Sequence, residues 1–187
     1  MIKQTKVVGV VFMDENMTLA AFLESVERNA YLTARLSLQN SEDSLDAVQD
    51  AMLKLSQQYA NRPSAEWAPL FYRILRNRII DVQRRNQTRK QWMAPTGASA
   101  EDEPAFEAVS TEPDVERLID SDAARARMDE AIMQLPDRQR EAFLLRSLDG
   151  LDVAETARVM GCTVGSVKTH YFRALQSLRK KLSEYMP

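Results

Sequence analysis

From Leu19 the chain places Leu19, Phe22, Leu23, Val26, Ala30 and Ala34 at three- and four-residue intervals. That is the spacing of one buried helix face and predicts a helix over residues 19–38, with Thr18 as its N-cap. Residues 40–44, Asn-Ser-Glu-Asp-Ser, interrupt the pattern with turn and cap residues. A second helix is expected from about Leu45, with Leu45, Val48, Met52, Leu55 and Tyr59 on one stripe. Asn61-Arg62-Pro63-Ser64 reads as a turn. A third helix then starts near Trp67, carries Leu70, Ile74, Leu75 and Ile79 inward and continues to the basic end at Arg84 to Lys90. Pro69 is expected in its first turn, where a missing N–H costs nothing.

Between residues 93 and 116 the periodicity stops. Pro95, Gly97, Pro104 and Pro113 stand among Glu101, Asp102, Glu103, Glu107, Glu112 and Asp114, with few apolar side chains to offset the entropy of ordering. An acidic, extended linker is expected there. Helical spacing resumes over 117–134 through Leu118, Ile119, Ala124, Met128, Ile132 and Met133. Leu135-Pro136-Asp137 opens a further helix that ends at Asp149-Gly150, where the glycine can adopt the left-handed cap conformation. A short helix over Asp152 to Met160, the turn Gly161-Cys162-Thr163 and a long helix from Val164 to about Leu182 have the spacing of a helix-turn-helix. The expected division is an N-terminal extension (1–17), a helical domain (18–92), the linker (93–116) and a helix-turn-helix domain (117–187).

Composition narrows the fold class. Only 5 glycines occur in 187 residues, too few for the tight turns of a sandwich or barrel, and the frequent residues are good helix formers. The expectation is an all-α protein of two small domains. The single cysteine excludes a disulfide framework, and the single histidine excludes a multi-histidine metal centre. Cys162 reads as a small filler in a turn rather than a redox sensor. The apolar run from Val7 to Met13 is too short to span a bilayer and is followed at once by Asp14-Glu15-Asn16, so no membrane insertion and a reducing cytoplasmic setting are expected. Met13 and Met17 are candidate alternatives to Met1 as the translation start.

Charge changes the picture further, because the net −2 is an average over segregated segments. Residues 61–92 carry +6, residues 93–122 carry −8 and residues 158–187 carry +5. Two basic segments separated by an acidic one suggest two polyanion-binding surfaces on one chain. On the last helix, Val167, Tyr171, Ala174, Leu175, Leu178 and Leu182 form the apolar stripe. Ser166, Thr169, His170 and Arg173 gather opposite, near the N-terminal end that a recognition helix inserts into a major groove, with Lys168 at the flank. On the third helix, Trp67, Phe71, Tyr72 and Trp92 alternate with Arg73, Arg76 and Arg78 around Asn77. Aromatic, cationic and amide groups together suit single-stranded DNA, through stacking, phosphate attraction and base-edge hydrogen bonds. On the second helix, Asp46, Gln49, Asp50 and Lys54 project away from the apolar stripe as a docking face. Asp46 and Asp50 stand one turn apart, but no nucleophile–base pair, ligand cluster or phosphate loop accompanies them, so no catalytic residue, metal or cofactor is expected.

Three segments in order resemble the sigma-70 family of bacterial transcription initiation factors, in its small extracytoplasmic-function form. Residues 46–55, from Asp46 through Lys54-Leu55, are similar to the family's helix for core RNA polymerase. Residues 72–81, from Tyr72-Arg73 through Asp81, with Arg84-Arg85 beyond, are similar to its −10-reading segment. Leu135-Pro136, Leu148-Asp149-Gly150-Leu151 and Val164-Gly165-Ser166-Val167-Lys168 resemble its −35-reading domain. The resemblance implies that Asp46, Gln49, Asp50 and Lys54 dock on the polymerase β′ coiled coil, with the β flap as a further contact. It implies that Tyr72, Arg73, Arg76, Asn77, Asp81, Arg84 and Arg85 serve the opened −10 strand, Asn77 helping to hold a flipped base. Ser166, Lys168, Thr169, His170 and Arg173 would read or clamp the −35 duplex. The implied regulator is an anti-sigma factor. A stand-alone helix-turn-helix regulator and a sigma mimic that titrates an anti-sigma factor are the alternatives.

Overall fold

The computed structural model describes residues 17–93 and 115–183. The expected N-terminal extension, except its last residue, and the expected linker, except its two ends, lie outside the described residues, as does the side chain of Trp92. The described residues form helices and no strand: α1 (Leu19–Leu38), α2 (Ser41–Gln58), α3 (Ser64–Met93), α4 (Val115–Met133), α5 (Asp137–Phe143) with a π-helical turn (Leu144–Leu148), α6 (Val153–Met160) and α7 (Val164–Ser183). None of these helices is long and apolar enough to cross a membrane.

Local chemistry sets the ends. Thr18 caps α1 by accepting from the Ala21 amide at 3.2 Å, as expected. Asn40 caps α2 by accepting from the Asp43 amide at 2.9 Å. α2 therefore starts four residues earlier than the apolar periodicity indicates, because Ser41, Glu42, Asp43 and Ser44 form a polar first turn behind that cap. α3 likewise begins at Ser64, which moves Pro69 from the first turn into the second. Asp152 and Glu155 form a reciprocal capping box at α6, and Gly161 ends that helix at φ +63.

α1, α2 and α3 pack around Phe22, Val26, Ala30, Ala47, Val48, Ala51, Leu55, Trp67 and Phe71. The alanines let helix backbones approach closely, and the aromatic residues fill the remaining space. Phe22 lies 5.8 Å from Trp67 and meets Phe71 edge-on at 6.1 Å, ring centre to ring centre. Leu45 departs from the expected stripe: it is 50% exposed, while Ala47 and Ala51 face inward beside Val48.

The two helical halves do not stand apart. The apolar cluster runs without a break from Tyr72 and Leu75 on α3 into Ala142, Leu145, Leu151, Val159, Met160 and Val167. A second cluster joins Leu36 of α1 to Ile132, Leu135, Leu144, Ala174 and Leu178. At the seam the π-helical turn ends on Asp149, whose amide donates to the Leu144 carbonyl at 3.0 Å. Gly150 follows at φ +73, so the reversal needs a residue that tolerates the left-handed region. The Asp149 side chain is buried and accepts from the Thr33 hydroxyl at 3.0 and 3.2 Å and from the Tyr72 hydroxyl.

Burial pushes the Asp149 carboxyl well above the ordinary carboxylate range, although the Thr33 and Tyr72 hydrogen bonds pull the other way. Burial also raises Tyr72, with the charge of Asp149 adding to the effect. A carboxyl whose pKa is raised by folding favours the folded state below its unfolded value of about 4, and that contribution is lost as pH rises through the raised value. The difference in Tm between the wild-type chain and Asp149→Asn is therefore expected to fall as pH rises from about 4 to about 8. Thermal melts followed by circular dichroism across that range check it; a constant difference would mean that Asp149 does not titrate in the seam.

Candidate nucleic-acid and protein-docking faces

Three polar faces follow from the way the helices bury their apolar sides. On α7, Val167 and Ala174 are fully buried and Leu178 nearly so. Tyr171 fixes the helix to α5: its ring stacks on Phe143 at 6.4 Å, its hydroxyl lies 3.1 Å from the Ser147 hydroxyl, and the Arg146 guanidinium sits over the ring. With that side committed, Lys168, Thr169 and Arg173 are exposed, and Ser166 and His170 are half-buried beside them. Thr163 orders the entry into the helix, accepting from the Ser166 amide at 3.1 Å and lying 2.9 Å from the Ser166 hydroxyl. The Thr169 hydroxyl donates to the Gly165 carbonyl at 3.0 Å and keeps acceptor capacity outward. The five residues expected to serve a −35 duplex thus lie on one helix, with Thr169 and Arg173 outward and Lys168 and His170 at opposite flanks.

Phe172 belongs to this face and is absent from the set expected from sequence. It is 59% exposed, one turn beyond Lys168 and Thr169. An apolar ring there can meet a thymine methyl in a major groove. Its signal was available, because an aromatic residue off the Val167–Tyr171–Ala174–Leu178 stripe has no core to fill.

On α3 the expected −10 set divides. Arg73, Asn77, Asp81, Arg84 and Arg85 are exposed. Tyr72 is only 3% exposed and bonded to Asp149, and Arg76 is half-buried in an ion pair with Glu141 of α5. The aromatic stacking platform expected from Trp67, Phe71 and Tyr72 is corrected by their burial: all three fill the core between helices. Beside Arg76, a cleft of about 440 Å³ opens between the halves, lined by Arg84, Arg138 and Arg140 among others.

On α2, Asp46, Gln49 and Lys54 are exposed and Asp50 is half-buried, paired with Arg78 of α3. Leu45 and Leu53, at 50% and 56% exposure, flank this polar row. Apolar side chains beside carboxylates and an amide make a face suited to a protein partner, since a merely solvated face gains nothing from two exposed leucines. Among the described residues no cluster of His, Cys, Asp and Glu could hold a metal ion. His170 stands without ligand partners, and Cys162 is a half-buried free thiol in the turn before α7.

The chain is similar to proteins of one known family. Residues 125–178 match the family model for sigma-70, region 4. The ECF RNA polymerase sigma factor SigM of Mycobacterium tuberculosis (strain H37Rv) is 33% identical over 156 residues, which cover 83% of this chain and 72% of that protein. The RNA polymerase sigma-H factor of Pseudomonas aeruginosa is 29% identical over 148 residues, 76% of this chain and 75% of that one. Among solved structures, the sigma factor RpoE in complex with the anti-sigma factor NepR, from Bartonella quintana, superposes with a TM-score of 0.60. It is 22% identical, covering 87% of this chain and 96% of that one. CnrH in complex with the cytosolic domain of CnrY gives 0.57 at 20% identity, covering 89% and 88%. These two likenesses concern the fold.

The cap at the start of α7 is open to test. Thr163→Ala removes the side-chain acceptor for the Ser166 amide and is expected to cost about 1 kcal/mol. Urea unfolding should show a lower midpoint with an unchanged slope.

Proposed function

Since the chain belongs to the extracytoplasmic-function (ECF) RNA polymerase sigma factors, we propose that it directs core RNA polymerase to promoters by reading −35 and −10 elements with separate faces. The observation that carries this reading is the pairing, on one chain, of an exposed basic recognition helix with an exposed leucine-flanked acidic face on α2. A stand-alone helix-turn-helix regulator needs the first face and has no use for the second. The residues around Lys168, Thr169, Phe172 and Arg173 enter the −35 major groove: the guanidinium serves a guanine edge or a phosphate, and the ring and the threonine methyl serve thymine. Asp46, Gln49 and Asp50, with Leu45 and Leu53 beside them, dock on the polymerase β′ subunit. Asn77 holds a base of the opened −10 strand by its edge, while Arg73, Arg84 and Arg85 neutralise phosphates. The chemistry of RNA synthesis belongs to the polymerase. An anti-sigma factor is the proposed regulator, by analogy with the complexes that RpoE and CnrH form.

Run-off transcription of genomic fragments by core polymerase, with and without the chain, tests the proposal. New specific transcripts are expected only with the chain present. Asp46→Arg should weaken association with core by on the order of tenfold, the loss of about 1.4 kcal/mol at a docking contact. Asn77→Ala should leave core association intact and abolish most of the transcript. Lys168→Ala should weaken promoter binding uniformly and lower its salt dependence by about one counterion. Tight core binding without any transcript would favour the titrating mimic, and binding to neither core nor promoter would end the initiation reading.

A further inference from the structure

The cleft of about 440 Å³ between α3 and α5 falls within the size range of sites for small organic molecules. Its floor is aliphatic: Leu75 and Ile79 of α3 and Leu144 and Leu145 of the π-helical turn line it, and all four are buried. Its rim is basic. Arg76, Arg84, Arg138 and Arg140 stand there against two carboxylates, Asp137 and Glu141, which leaves two positive charges in excess.

The four guanidinium groups are not equally committed. Arg140 is buried and holds the chain's own turn, donating to the Met133 carbonyl at 2.8 Å and to Asp137 at 2.5 Å. Arg76 and Arg138 share Glu141, so one carboxylate serves two cations. Arg76 meets it through Nε and Arg138 through one terminal nitrogen, so each keeps further donors. Arg84 is exposed and makes no ion pair among the described residues. Like charges gathered on one cleft repel each other, and nothing in the fold uses Arg84 to offset that cost.

We propose that this cleft binds a small amphipathic anion, a phosphate monoester with an apolar body. The phosphoryl group lies at the rim among Arg76, Arg84 and Arg138, and the body lies on the floor of Leu75, Ile79 and Leu145. A phosphate monoester carries a charge of roughly −1.5 to −2 at neutral pH, which matches the excess at the rim. Guanidinium forks take phosphoryl oxygens in pairs. A wholly polar anion would leave the floor uncovered, and an uncharged apolar molecule would leave the rim uncompensated. The ligand touches α3 and α5 at once. Such a site is independent of the initiation reading and is measured without polymerase.

The probe is octyl phosphate, titrated calorimetrically into the full chain below its micelle concentration. It should bind about tenfold more tightly than inorganic phosphate, which lacks the body, and than octyltrimethylammonium, which has the same tail and the opposite charge. Adenosine monophosphate, a phosphate monoester with a polar body, should also bind about tenfold more weakly. Arg84→Ala should weaken octyl phosphate by about tenfold and leave the melting curve of the free chain unchanged, because its guanidinium is exposed. Arg62→Ala, at the exposed turn before α3, should leave the affinity unchanged. Nuclear Overhauser contacts from the octyl chain should reach the methyl groups of Ile79 and Ile80, which line the cleft.

No binding of octyl phosphate, or equal binding of the octyl cation, would overturn the site. Absence of contacts to the two isoleucines would place the ligand elsewhere and overturn it as well. An affinity unchanged by Arg84→Ala would overturn the anchoring role of that guanidinium. Inorganic phosphate binding as tightly as octyl phosphate would overturn the apolar body and leave an anion site. Tighter binding of adenosine monophosphate, with contacts to the same isoleucines, would overturn the apolar body in favour of a nucleotide.

Discussion

The fold hangs on α3, a single helix that must be core on one side and reader on the other. Phe71, Leu75, Ile79 and Val82 bury one side of its middle turns. Because successive residues advance by about 100°, that burial leaves Arg73, Asn77, Asp81 and Arg84 facing solvent. α1 holds the buried side through the rings of Phe22, Trp67 and Phe71, and α2 through Ala47, Val48, Ala51 and Leu55, so the exposed row is presented on a rigid rod rather than a loop. Precision at a base edge requires such support, since a misplacement of a fraction of an ångström forfeits a hydrogen bond. The same helix also carries Tyr72 and Arg76 at the edge between its two sides. There the C-terminal half finds its purchase.

Much of this was legible in the sequence, and the misses have physical causes. The helix-turn-helix was readable because its stops are chemical: the Asp152–Glu155 capping box and Gly161 in the left-handed region fix both ends of α6. Periodicity places the start of α2 too late because it tracks burial, and the first turn of that helix is held by a cap instead. Spacing alone puts Leu45 on the apolar stripe, yet three small or branched inward residues, Ala47, Val48 and Ala51, already fill the space against α1 and α3. The aromatic residues of α3 were ambiguous for a related reason. A ring beside an arginine serves a base or a core equally well in sequence, and only the arrival of Phe22 across the helix interface decides for Trp67 and Phe71.

The seam was illegible for a stronger reason: each of its partners has an ordinary local explanation. Asp149 precedes a glycine in a turn, Thr33 sits within a helix, and Tyr72 lies among other aromatics. Their convergence joins positions more than a hundred residues apart for Thr33 and Asp149. Charge segregation along the chain gave no hint, because Asp149 approaches uncharged hydroxyls rather than the basic run of α3. The sequence pattern described two helical units and a spacer. The structure adds that the units share a core.

A carboxyl group is an unusual choice for such a place. An aliphatic residue of similar size would bury area at about 25 cal/mol per Å² without a desolvation penalty, so the seam is weaker than it could be. Two hydroxyl donors soften that penalty without neutralising the charge, which is why the proton is held more tightly than at an exposed aspartate. A fully apolar seam would fuse the halves into one permanent domain. One built around Asp149 and the Arg76–Glu141 pair can be solvated when it opens, since each of these groups recovers water where a leucine would lose it. Polarity at the seam thus holds the two halves together less strongly than an apolar surface of the same area would.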